Sequence, residues 1–137
     1  MEDIKNTNTP VIDAQEQKAM EDGKQLALEI AAILDEKKAK DIKIINVNQK
    51  TVIADYFVIA GGSSRTQVNS LADEVEYKLG LRGIDPLRVE GRGDGSWVLL
   101  DFDSVLVHVF GKESREFYKL EKLWAEGTPV EFVQKED

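Results

Sequence analysis

The segment from Glu90 to Phe110 constrains the fold more than any other part of the chain. It reads Glu-Gly-Arg-Gly-Asp-Gly-Ser-Trp-Val-Leu-Leu-Asp-Phe-Asp-Ser-Val-Leu-Val-His-Val-Phe. Two β-prone runs flank Asp103-Ser104, which predicts two antiparallel strands joined by a tight turn. Side chains alternate along a strand, so the turn decides which residues share a face. With Phe102 opposite Val105, one face carries Val98, Leu100, Phe102, Val105, Val107 and Val109. That face is wholly apolar and is expected to lie against helices. The other carries Trp97, Leu99, Asp101, Leu106, His108 and Phe110, a mixture of large apolar groups, an acid and the chain's one histidine. A face of that mixture, left exposed, is expected to be a docking surface.

The rest of the chain supplies the layers around this hairpin. Residues 1–14 are polar and aperiodic and are expected to form a flexible tail. From Gln15 to Lys38 the spacing is helical, with Ala27, Ile30, Ala31 and Leu34 on one stripe that Leu26 and Ile33 widen. Ile42–Val47 is a short strand. A second strand region, Thr51–Ala60, centres on Tyr56–Ala60, a nearly continuous apolar run suited to burial on both sides. Ser64-Arg65-Thr66-Gln67 fits a capping box. It opens a helix with Val68, Leu71, Ala72, Val75 and Leu79 on its inner face, which Gly80 or Gly83 stops. Leu87–Glu90 is a third strand, and Glu113–Trp124 a last helix with Phe117, Leu120 and Trp124 on one side. The expected architecture is a single α/β domain over residues 15–126. It has a mixed sheet of about five strands with helices packed on it, followed by a tail over residues 127–137.

Charge and motifs narrow the function. The 137 residues carry 18 basic and 26 acidic side chains, a net charge of -8. That argues against direct binding of DNA or of any broad phosphate surface, and leaves room for a basic protein partner. The chain has no cysteine, so thiolate metal sites and disulfides are excluded. No apolar run reaches the ~20 residues that span a bilayer, and the polar start does not read as a secretion signal, so a cytoplasmic protein without a membrane is expected. No Gly-x-Ser-x-Gly elbow is present. Gly61-Gly62-Ser63-Ser64, between a strand and a helix, is a place where an anion can bind, but it lacks a P-loop lysine. Asp101 and Asp103 lie much farther along than the paired acids that follow such a loop in nucleotidyltransferases. A nucleotide-binding or nucleotidyl-transferring enzyme built on Gly61–Ser64 and Asp101 is therefore the alternative reading, and an adaptor for some other basic protein is a third.

Several separate stretches carry a resemblance. They are Ala54–Gly61, Ala72-Asp73-Glu74-Val75, Val89-Glu90-Gly91, Trp97–Asp101, Val105–Phe110 and Arg115–Trp124. In this order they resemble the Iojap family, the ribosomal silencing factors (RsfS), over roughly residues 20–125. The resemblance implies an α/β fold distantly related to nucleotidyltransferases without their catalytic acids. It implies no reaction, no cofactor and no metal. It also implies a partner, the large ribosomal subunit, bound through one ribosomal protein on its joining face. Docking there keeps the small subunit off and represses translation when nutrients are scarce. Organellar members are linked to large-subunit assembly, and some members form homodimers away from the ribosome. The expected contact residues are Trp97, Leu99, Asp101 and His108, followed by Tyr118, Glu121 and Trp124.

Overall fold

In a computed structural model, residues 14–49, 53–112 and 127–135 are described. The hairpin forms in the register that its turn predicts. Helix α1 is Ala14–Glu36 and α2 is Arg65–Gly80. The strands are β1 (Lys40–Asn46), β2 (Tyr56–Gly62), β3 (Arg88–Glu90), β4 (Trp97–Asp101), β5 (Val105–Gly111) and β6 (Thr128–Val130). On β4 and β5, Trp97 faces Phe110, Leu99 faces His108 and Asp101 faces Leu106. The Phe102 amide donates to the Val105 carbonyl at 2.9 Å and closes the turn. Asp103 adopts φ 73°, a conformation that aspartate tolerates better than most residues. Its amide donates to the Asp101 carboxylate at 2.8 Å, which holds the bend.

The six strands lie in the order β3-β4-β5-β2-β1-β6. Only β2 and β5 run parallel; the other neighbours are antiparallel. β2 is buried along its whole length, as its apolar run predicts. One face of the sheet packs on both helices. There Val98, Leu100, Phe102, Val105, Val107 and Val109 join Ile30, Leu34, Val68, Leu71 and Val75 in the main core. A smaller cluster on the other face holds Ile45, Val47, Ala54, Phe57, Ile59, Leu106 and Phe110. No helix among the described residues is long and apolar enough to cross a membrane.

The helix ends follow from local chemistry. Ser64 caps α2, its hydroxyl accepting the Gln67 amide at 3.0 Å. The return arm of the capping box is displaced by one residue, because the Gln67 side-chain oxygen accepts from the amide and hydroxyl of Ser63. Gly83, at φ 78°, ends the helix: Ile84 donates to the Leu79 carbonyl and Gly83 to that of Gly80. Lys38 plays the same part after α1 at φ 64°, with Ala39 donating to Leu34 and Lys38 to Asp35.

The main difference from expectation is at the C-terminus. Residues 127–135, expected as a tail outside the domain, contribute a sixth strand. β6 pairs antiparallel with β1, Ile44 opposite Val130 and Asn46 opposite Thr128. A three-residue strand containing Pro129 suits a sheet edge, where a missing amide costs nothing. Beyond it, Gln134 repairs an irregularity in β1. The register of β1 shifts between Lys40 and Lys43. The Gln134 side chain accepts from the Ile42 amide at 2.9 Å and donates to the Ala39 carbonyl at 2.9 Å. Both residues are buried. Gln134→Ala is expected to cost about 1–3 kcal/mol, the penalty for leaving buried backbone groups unpaired. Urea unfolding at neutral pH measures it. Of the tail expected over residues 1–14, Ala14 begins α1 and the rest lies outside the described residues, as does the helix expected over Glu113–Trp124.

Candidate functional site

The mixed face of the hairpin divides along the sheet. Trp97, Leu99 and Asp101 on β4 are half-buried. Leu106, His108 and Phe110 on β5 are buried, at 4%, 8% and 0% exposure. The face is thus not the continuous exposed one expected: its β4 row is half-buried and its β5 row is buried. The reason is position. β5 is flanked by β4 on one side and β2 on the other, so bulky neighbours close over its side chains from both directions. Trp97 stacks on Phe110 with ring centroids 5.0 Å apart, and Phe57 leans on His108 at 4.9 Å. His108, expected among the contact residues, therefore lies beneath the surface. The continuous run Val105–Phe110 is the sequence signal for this, the same signal that marks β2.

His108 is nonetheless tied to the surface. The Trp97 indole N–H donates to His108 Nδ1 at 3.2 Å. An imidazole that accepts at Nδ1 carries its proton on Nε2 when neutral. His108 Nε2 is buried and finds no partner among the described residues. Burial among aromatic and aliphatic groups disfavours the charged ring and lowers the His108 pKa to about 4. The ring is therefore neutral at physiological pH.

Trp97 begins β4 beyond the reach of β3, which pairs only with Leu99, Leu100 and Asp101. Its backbone pairs with Phe110 of β5, and the glycine-rich connection runs close against it. Gly91 sits at φ 87°, and a Cβ there would come within 2.0 Å of the Trp97 carbonyl oxygen. No other residue type allows that approach. Farther along, Arg92 pairs with Asp73 at 3.1 Å and with Glu76, fastening the connection to α2.

Asp101 sits at the other end of the row. One carboxylate oxygen accepts from the Asp103 amide, and the other meets Arg88 Nε at 3.2 Å. Arg88 also pairs with Glu90. Arg88 was not singled out from the sequence, although it stands directly opposite Asp101 across the β3–β4 pair. A cross-strand pair of opposite charges is a recognised stabilising arrangement. Tyr118, Glu121 and Trp124 lie outside the described residues.

The glycine-serine turn occupies a separate place. It lines a cleft of about 320 Å³ with Arg65, Gly95 and Lys112. Gly62 stands opposite Gly111, whereas Asp101 stands opposite Leu106. Five residues of extended strand separate these positions along β5, about 17 Å at the usual rise. The turn and Asp101 are too far apart to grip one metal–nucleotide group. The amide and hydroxyl of Ser63 are moreover already taken by Gln67.

The chain is similar to several known proteins. The family described as ribosomal silencing factor during starvation matches residues 14–137. Ribosomal silencing factor RsfS of Halalkalibacterium halodurans is 41% identical over 106 residues, covering 77% of this chain and 90% of that protein. The mouse protein named mitochondrial assembly of ribosomal large subunit protein 1 is 34% identical over 98 residues, 69% of this chain and 43% of that one. A crystal structure of a Chromobacterium violaceum protein superposes with a TM-score of 0.69 at 34% identity, covering 83% of this chain and 92% of that one.

Proposed function

The chain belongs to the ribosomal silencing factor family, and from that premise we propose that it represses translation by occupying the joining face of the large ribosomal subunit. It docks on a basic ribosomal protein there and keeps the small subunit away. The half-buried row Trp97, Leu99 and Asp101 carries this reading. Trp97 supplies a large amphipathic surface already held in one orientation by His108 and Phe110, and indole side chains are frequent interface anchors. The net charge of -8 favours approach to a basic partner. The mouse relative is named for assembly of a ribosomal large subunit, which supports a partner on that subunit. The mechanism is steric: position and affinity suffice, and no turnover is required. The reading places the protein in the cytoplasm with its ribosomes.

The test is co-sedimentation of the purified protein with isolated subunits. Binding to large subunits, and none to small ones, is the expected result. A protein that stays at the top of the gradient with both would refute the proposal.

A further inference from the structure

We infer that His108 is the positioning residue of the docking surface: by accepting the Trp97 indole N–H it holds the anchor in the orientation that the partner meets. This rests on the docking role proposed above for the β4 row. Two observations carry it. The Trp97 N–H to His108 Nδ1 bond is a polar tie between the half-buried row of β4 and the buried row of β5 beside it. The neighbours of the Trp97 ring on β5 are aromatic and directional: His108 at 5.9 Å and Phe110 at 5.0 Å between ring centroids.

The choice of histidine also follows from the site. An apolar residue there would pack equally well with Phe57, Ile59 and Phe110. It would take from the indole N–H the acceptor that aims it. Histidine instead leaves its own Nε2–H buried, with no partner among the described residues. Burying an unpaired donor is unfavourable for the isolated chain. That cost is understandable where the acceptor on Nδ1 serves recognition. An anchor that is already oriented loses less conformational freedom on docking, which strengthens binding without any new contact.

The experiment compares large-subunit affinity for the wild type, His108→Leu, His108→Gln, Trp97→Ala and the Trp97→Ala/His108→Leu pair. Native folding of each is checked by its melt. The Trp97 indole N–H resonance, assigned by its loss in Trp97→Ala, reports the hydrogen bond independently of any ribosome. His108→Leu is expected to bind about tenfold more weakly, with an indole N–H that is shifted and exchanges faster with solvent. His108→Gln, which keeps an acceptor, is expected to stay within about threefold of wild type. In the Trp97→Ala background, His108→Leu is expected to cause no further loss, since it acts through the missing indole. If His108→Leu does not fold, His108→Phe takes its place. Wild-type affinity in His108→Leu, or a loss that adds fully to that of Trp97→Ala, would overturn the inference. Wild-type affinity in Trp97→Ala would instead overturn the docking reading itself, and the inference with it.

Discussion

Trp97→Glu is expected to bind isolated large subunits at least thirtyfold more weakly than wild type. The size follows from the environment of Trp97. Its indole stacks on Phe110, is hydrogen-bonded through His108, and stays partly open on the β4 row. Truncating a preoriented aromatic anchor commonly costs about 2 kcal/mol or more, which is about a thirtyfold change in affinity. A glutamate adds a carboxylate that docking would have to strip of water. Charge attraction to a basic partner offsets little of this, since an acidic protein of net charge -8 already has that attraction without the residue. Titration of labelled protein with large subunits measures the loss, and a thermal melt confirms that the variant is folded. An unchanged affinity would move the docking surface elsewhere on the molecule.

The second large effect is an acid-dependent loss of stability from His108. Its folded pKa, lowered by burial to about 4, lies below the ordinary value of 6.5. As pH falls through 6.5, the unfolded chain takes up a proton that the native ring refuses. Stability is therefore fully present above about pH 6.5 and declines as pH falls toward 4. Each pH unit across that window is worth about 1.4 kcal/mol, so the whole window corresponds to about 3 kcal/mol. The window between pH 6.5 and 5 is the most informative, because carboxylates titrate below it. There the expected loss is about 2 kcal/mol for wild type. Urea unfolding across this range reads it, with His108→Gln as the reference. The variant's stability is expected to be nearly flat over the same interval. Parallel curves for the two proteins would show that His108 is not the group responsible.

What the sequence made legible was whatever rests on short-range pattern. The register of β4 on β5 follows from Asp103-Ser104 and strict alternation, and Phe102 does meet Val105. The inner face of α2 follows from helical spacing, and Val68, Leu71, Ala72, Val75 and Leu79 are all buried. Gly83 ends that helix because the chain needs a left-handed residue there. What stayed hidden depends on contacts between distant segments. β6 has three residues and a proline. It is recognisable only once the edge of β1 away from β2 is seen to need a partner and Gln134 is found bonded 92 positions away, at Ile42. The burial of His108 was signalled only by the continuous run Val105–Phe110, and the contact that causes it lies far away in the chain. Alternation says that His108 shares a face with Trp97, but not that Phe57 from another strand leans on it. The candidate site was thus legible as a face and not as a depth. Trp97, Leu99 and Asp101 do share a half-buried row, Leu106, His108 and Phe110 beside it are buried, and Arg88 opposite Asp101 was missed.

The central claim is that this protein acts by obstruction through the Trp97 row. Subunit joining measures that most directly. Purified large subunits are incubated with the protein, small subunits are added, and formation of complete ribosomes is followed by light scattering. Joining is expected to fall in step with occupancy of the large subunit by wild-type protein, and to proceed normally with folded Trp97→Glu at the same concentration. Undiminished joining on large subunits saturated with wild-type protein would contradict the account.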